Sequence, residues 1–260
     1  MVTVSRGNAR IVAGLIECRS RAVVAGLAYA EAVAALAGAA VAWRVEEGLM
    51  AEREALGTIR GSLAAVLRAE RPLLNLLQRA SGIATLTCRY VEALTGTPCR
   101  LLHTRKTAPG LRLFDAAAVV AGSGEVHRLD LAHTVMIKDN HWRALADSGK
   151  SLAEALDDAR ARGALSCQVE VESEPAVREA CAAAADRLLI DNQTPATVRA
   201  WGNLARSLRP GIAIEATGGI SLNNVRGFAE AGADFVSVGE LTHSVRAADI
   251  AIELAPSLRA

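Results

Sequence analysis

The chain predicts an α/β fold built on parallel strands, and three observations carry that reading. Apolar, strand-like runs alternate with helical segments across residues 101–245. From Glu170 to Asp191 to Glu215 to Ser237 the step is about 20–25 residues, room for one strand, one helix and two short turns. Each run is apolar inside yet ends in polar or charged residues. Parallel strands joined by right-handed crossovers close into a barrel or stay open as a doubly wound sheet. Repeated units with no Gly-x-Gly-x-x-Gly turn favour the barrel.

Residues 1–100 read differently, as an α+β unit. "NARIVAGLIEC" and "AAVAWRVEEG" are strand-like. The segment between them, within residues 22–43, is long enough to span a membrane. It contains Glu31 and is dominated by Ala and Gly, so a buried Ala-rich helix leading into a strand is expected. "SLAAVLRAERPLLNLLQRASGIATLTCRYVEAL" continues as helices, with Pro72 opening one of them after Ala-Glu-Arg. From residue 101 the expected strands are "CRLLHT", "TVMIKD", "CQVEVE", "RLLIDN", "IAIEATGG" and "FVSVGEL". Helices are expected at "SLAEALDDARARG", "EPAVREACAAAAD" and "TPATVRAWGNLARSL", and "VHRLDL" belongs to a connection.

Composition narrows the class of function. At 260 residues, 51% hydrophobic and 22% charged, the chain is globular rather than disordered. A formal net charge of +1 gives no electrostatic reason for a nucleic-acid partner, and no membrane partner is expected. The five cysteines show no CxxC spacing, and "MVTVSRGNAR" has no apolar signal core, so a cytoplasmic protein with reduced thiols is expected.

Against this near-neutral background "LLHTRKTAPGLR" concentrates Arg105, Lys106 and Arg112 beside Pro109-Gly110, which forbids a helix through them. They must lie at a strand end and in the following loop, where α/β proteins bind ligands. The other strand ends carry Lys138, Asp139, Asn140 and His141; Glu170 and Glu172; Asp191 and Asn192; Glu215 with Thr217, Gly218 and Gly219; and Gly239. One side of the implied pocket is cationic, with Arg105, Lys106, His127, Arg128 and Lys138. The other is acidic, with Glu170, Glu172, Asp191 and Glu215. Cations arranged in this way suit carboxylates and phosphates, and carboxylates suit Mg²⁺ or sugar hydroxyls. The small-residue loops "EATGGI" and "VGELTH" suit phosphate. A phosphorylated sugar plus a small acid is the simplest ligand set. Asp191 has a second reading as a helix cap, and His141 one as a support for the Lys138 loop. His103, His133 and His243 lack metal-ligand spacing.

In order and spacing, "TRKTAPGLR", "HRLDL", "IKDNH", "VEVE", "IDN", "EATGGI" and "SVGELTHS", with "RAERPLLNLLQRASGIATLT" upstream, resemble the quinolinate phosphoribosyltransferase family (nicotinate-nucleotide pyrophosphorylase, carboxylating/decarboxylating). The resemblance implies an incomplete, seven-stranded α/β barrel at 101–245. It also implies an N-terminal α+β sandwich domain at 1–100, joined by the tail 246–260. The implied reaction joins quinolinate to phosphoribosyl pyrophosphate (PRPP) with Mg²⁺, giving nicotinate mononucleotide, pyrophosphate and CO₂ in NAD biosynthesis. The implied assembly is a homodimer or a hexamer, with Arg71 donated across the interface.

Carried onto this chain, the resemblance puts Lys138, Glu170 and Asp191 in catalytic roles and Glu170 and Asp191 on the metal. Substrate contacts fall to Arg71, Arg105, Lys106, His127, Arg128, Lys138, Thr217, Gly218, Gly219 and Gly239. Three departures stand out. Ala116 and Ala117 replace a lysine-tyrosine pair, Ser123 and Val126 interrupt a triple glycine and Asn-His-Arg, and "MVTVSRG" replaces an opening Gly-Asp-x-Thr motif. Two alternatives stay open at this point: a paralogue of the same fold acting on another acidic heterocycle, and a non-catalytic ligand-binding barrel.

Overall fold

A computed structural model describes residues 10–128 and 133–254. The part of "HRLDL" at 129–132 and the two chain ends lie outside the described residues. In chain order the first elements are β1 (Ile11–Val23), α1 (Leu27–Ala37), β2 (Ala39–Trp43), β3 (Met50–Ser62) and α2 (Leu63–Ala93). Next come β4 (Arg100–Leu102), α3 (Arg112–Ala121), β5 (Thr134–Ile137), α4 (Asp139–Ser148) and α5 (Leu152–Ala161). They are followed by β6 (Ser166–Val171), α6 (Glu174–Ala182), β7 (Arg187–Asp191), α7 (Pro195–Leu208) and β8 (Ala213–Thr217). The last are α8 (Val225–Glu230), β9 (Phe235–Ser237), α9 (Glu240–His243) and β10 (Ile250–Leu254). The chain forms two compact units: 1–88 with 107–124 and 240–260, and 89–106 with 125–239.

The first unit holds an antiparallel sheet in the order β10-β1-β3-β2. Its core gathers Ile16 and Val24, Leu56 and Ile59 with the apolar stripe of α2. β3 is the strand least visible in the sequence, because charges and glycines interrupt its alternation. Gly57 is there for close approach: a Cβ would lie 2.6 Å from Ala42 O of the neighbouring strand. The tail joins this sheet, β10 pairing antiparallel with β1, and Gln78 Nε2 donates to Ile250 O at 2.7 Å.

Pro72 does not open a helix, as its sequence context suggested; it lies inside the single 31-residue α2. The buried positions explain why. Val66, Ala69, Leu73, Leu77, Ala80, Ile83 and Ala84 recur at helical spacing straight through the proline. An interior proline costs about 3 kcal/mol. Each fully buried Leu or Ile contributes roughly 1.5–3 kcal/mol, so packing outweighs the local penalty.

Residues 107–124 carry α3, whose Asp115 is fully buried. Arg79 clamps it through two hydrogen bonds of 2.9 and 2.7 Å and also donates to Thr242 O at 2.9 Å. Asp115 Oδ2 accepts from the Ala108 N–H at 2.9 Å, pinning the Pro109-Gly110 turn. At the end of α3 a Cβ on Gly122 would lie 2.6 Å from Thr87 Cβ. One on Gly124 would lie 2.7 Å from Thr87 Cγ2 and from Val119 Cγ1. Ser123 between them is exposed, with φ +68°, so the departure from triple glycine falls at an exposed position.

The second unit is α/β, with a parallel sheet in the order β4-β9-β8-β7-β6-β5. The family resemblance implies seven strands. Among the described residues this sheet has six, and the place beyond β4 holds one parallel bridge, Leu102 to Glu125. Two hydrogen bonds make that bridge, from Glu125 N to Leu101 O and from His103 N to Glu125 O. The helices start where side chains cap them. Ser151 and Glu154 form a capping box, and Ser173 and Thr194 cap α6 and α7. Among the described residues no helix is long and apolar enough to cross a membrane, and the 22–43 segment divides into α1 and β2.

The glycine geometry separates two neighbouring substitutions. Gly122→Ala should lower stability by about 1–3 kcal/mol through overpacking against α2. Ser123→Gly should shift it by less than about 1 kcal/mol, since relief at positive φ is offset by extra freedom in the unfolded chain. Urea midpoints of the two variants check this; equal losses would overturn the close-packing account.

Candidate active site

The C-terminal ends of the parallel strands surround one cavity of about 970 Å³ within the second unit. Sheet register sets its floor. Glu170, Leu189, Glu215 and Phe235 stand side by side across β6, β7, β8 and β9. Neighbours in a parallel row project to the same face, and residues two further along each strand do too. Asp191 pairs with Thr217 in this way one pleat higher.

The cavity brings together Arg105, Lys106, His127, Arg128, Lys138, Glu170, Asp191, Thr217, Gly218 and Gly219. It does not gather every expected residue. Gly239 is not among its lining residues, and Arg71 lies exposed on α2.

The cationic wall is held in place by short-range bonds. The Lys106 N–H donates to Thr104 Oγ1 at 3.1 Å, and Arg128 Nη1 donates to Thr134 O at 2.8 Å. Lys138 precedes α4, and its N–H donates to His141 Nδ1 at 3.0 Å, which gives His141 the supporting place the sequence suggested. Lys138 follows the apolar run Val135-Met136-Ile137, which would bury a side chain that continued it. Its side chain is instead 41% exposed and ion-paired with Glu170, because β5 stops at Ile137 and opens onto the cavity. Trp142 Nε1 ties α4 to β6 by donating to Glu170 O at 2.9 Å.

On the opposite wall Glu170, Glu172 and Asp191 bring carboxylate oxygens within 4.8 Å of one another, a hard-oxygen set that can hold a divalent cation. Burial pushes the Asp191 carboxyl above its usual range. The charges of Glu170 and Glu172 add to the rise, and Lys138 and Lys106 oppose it. Asp191 is not a helix cap, since Thr194 caps α7. Its Oδ2 accepts from Asn192 Nδ2 at 2.6 Å, and Asn192 has φ +52°.

Gly218 must be glycine here. It has φ +74°, and a Cβ would lie 2.6 Å from Asn192 Cγ and 2.7 Å from Asp191 Oδ1. Asn224 Nδ2 donates to Gly219 O at 3.0 Å and stiffens the same turn.

Glu215 corrects the expected division of charge. It stands apart from the carboxylate cluster, fully buried, with Oε2 3.1 Å from His127 Nε2 and 3.0 Å from Arg187 Nη1. Burial alone would raise its carboxyl. The hydrogen bond and charge of His127, with the charge of Arg187, outweigh that and hold it below the usual range. Arg187 and Ser237 were missed in the sequence. The signal for Arg187 is present, because Arg187, Leu189 and Asp191 follow a period of two on one strand face. Attention to strand ends passed over a strand start.

Comparison with known proteins covers both units. The model of the quinolinate phosphoribosyl transferase N-terminal domain matches residues 2–81, and that of its C-terminal domain matches 83–253. The probable nicotinate-nucleotide pyrophosphorylase [carboxylating] of Bacillus subtilis is 42% identical over 203 residues, 77% of this chain and 68% of that protein. The nicotinate-nucleotide pyrophosphorylase [carboxylating] of Mycobacterium leprae is 40% identical over 221 residues, 82% of this chain and 75% of that protein. The solved nicotinate-nucleotide pyrophosphorylase from Francisella tularensis superposes with a TM-score of 0.89 at 28% identity, covering 98% of this chain and 90% of that one.

Because the Asp191 carboxyl is raised in the folded state, its ionisation works against folding, and the penalty grows as pH rises through the folded value. In metal-free protein, Asp191→Asn should therefore melt close to the parent in acid and above it at neutral pH. Melting curves of both proteins across that range check this. A variant that melts below the parent at neutral pH would show that the three carboxylates do not strain the site.

Proposed function

The chain belongs to the quinolinate phosphoribosyl transferase family, and we propose that it transfers the phosphoribosyl group of PRPP to quinolinate with loss of CO₂. The products are nicotinate mononucleotide and pyrophosphate, for NAD biosynthesis. One observation carries the reading: a single cavity holds a cationic wall and a carboxylate wall built from the residues that match the family's motifs.

Quinolinate bears two adjacent carboxylates, and Arg105, His127 and Arg128 clamp them. Arg105 Nε is buried with no acceptor, a donor that an incoming carboxylate satisfies. Lys106 and Lys138 neutralise carboxylate and pyrophosphate charge. Thr217, Gly218 and Gly219 receive phosphate through backbone N–H groups. Glu170 and Asp191 hold the ribose hydroxyls and a Mg²⁺ ion; their oxygen-only donor set, with Glu172 beside it, fits that ion. When bound, Mg²⁺ supplies positive charge that complements the diphosphate.

The pyridine nitrogen attacks the anomeric carbon as the bond to pyrophosphate breaks, and carboxylates near that carbon favour its oxocarbenium-like character. The ring nitrogen is then quaternary, and its positive charge stabilises the electron pair that the breaking C2–carboxylate bond leaves on C2. CO₂ leaves, and C2 takes up a proton. The protein's part is to position and neutralise, with no covalent bond of its own to either substrate.

The finer architecture is part of the proposal: an incomplete seven-membered barrel at 101–245, a sandwich at 1–100 completed by the tail 246–260, and a cytoplasmic homodimer or hexamer. Arg71, exposed on α2 and not among the residues that line the cavity, then completes a partner's clamp.

Purified protein with Mg²⁺, PRPP and quinolinate should form nicotinate mononucleotide and CO₂, with nicotinate inert in parallel. Lys138→Ala should lower kcat by about 10²–10³-fold while the melting temperature stays close to the parent's. Equal losses of stability and activity would make the lysine structural. Arg71→Ala should be nearly inactive alone and regain activity when mixed with Lys138→Ala protein, since mixed dimers contain one intact site. No recovery would refute a donated arginine.

A further inference from the structure

We propose that Glu215 is a positioning residue that holds His127 as an imidazolium, with Nε2 turned into the sheet, so that the charged ring serves the acidic acceptor. The inference rests on the transferase reading for its purpose but on geometry for its substance. Glu215 sits in the middle of β8 between Ile214 and Ala216, and all three are fully buried. Taking a lone carboxylate out of water there costs several kcal/mol. Two cations compensate, His127 and Arg187, both bonded to the same oxygen. Arg187 is itself fixed, its guanidinium 4.0 Å above the Phe235 ring.

Buried ion pairs are commonly matched in stability by apolar residues of the same volume. The charged trio at the cavity floor is therefore better explained by the site than by folding.

The hydrogen bonds assign the protons. An ionised Glu215 can only accept, so His127 Nε2 carries hydrogen. The His127 backbone N–H donates to His103 Nδ1 at 3.0 Å, so His103 Nδ1 carries none and His103 is neutral. Of the two rings, His127 alone is placed to be charged. Its side chain is only 7% exposed, so burial works against that charge. Arg105, Lys106 and Arg128 line the same cavity and work against it too. Glu215 is the carboxylate in direct contact with the ring, while Glu170, Glu172 and Asp191 form their own cluster.

Glu215→Gln keeps the shape and removes the charge. Imidazole ¹⁵N spectra followed against pH should show His127 of the variant losing its second proton at least about tenfold more easily, a shift of one pH unit or more. In turnover, KM for quinolinate should rise about tenfold, while KM for PRPP and the melting temperature stay near the parent's. Arg187→Met gives a test of opposite sign. It leaves Glu215 to His127 alone, so the imidazolium should persist to higher pH than in the parent. Unchanged His127 titration in both variants, or parallel increases in both KM values with a lowered melting temperature, would overturn the proposal. Spectra read the pair without turnover. Failure of the transferase reading thus shows as a parent protein silent with quinolinate, and failure of the pair shows as an unshifted ring.

Discussion

The register of the parallel sheet is the constraint on which the site depends. Glu170, Leu189, Glu215 and Phe235 share one row only because β6, β7, β8 and β9 pair without slippage. A slip of one residue in β8 would turn Glu215 toward the helices and bring Ile214 and Ala216 into the cavity, because side chains alternate faces. The apolar alternates of these strands resist that slip. Ile214, Ala216, Val169, Val171, Leu188 and Ile190 are all buried on the other face. Core packing and site geometry are thus one arrangement seen from two sides of the sheet.

Charge is distributed so that each buried group has a partner of its own. Glu215 is answered by His127 and Arg187, Glu170 by Lys138, and Asp115 by Arg79. The last pair lies in the first unit, yet it fixes the turn at Ala108, two residues after Lys106. Asp191 is the exception. Burial raises its carboxyl and the charges of Glu170 and Glu172 add to the rise, the pattern of a group whose charge is meant to be met by a ligand.

The departures from the family pattern fall at positions where the structure tolerates them. Ser123 takes an exposed glycine position, while Gly122 and Gly124 keep the close contacts with α2 and α3. Val126 is 39% exposed and lies beside His127, which lines the cavity while Val126 does not. Ala116 is buried within α3, next to the Asp115 that clamps Arg79, so the loss of a lysine there is accommodated as packing.

By itself the sequence determined the βα alternation and the strand ends bearing Arg105, Lys106, Lys138, Glu170, Asp191 and Gly218. These follow from local periodicity, turn chemistry and polarity, which a linear reading can see. Only the tertiary structure decided that Pro72 lies inside α2, that β3 pairs with β1 and β2 despite its charges, and that among the described residues the parallel sheet has six strands with a single bridge, at Glu125, beside β4. Packing energy summed over a whole helix or sheet overrode the local signal in each case. The structure alone also separated Glu215 from the other carboxylates. Its partners are His127, 88 residues before it, and Arg187, 28 residues before it. No local pattern encodes such a pairing, because it is made by strands that meet only when the sheet is assembled.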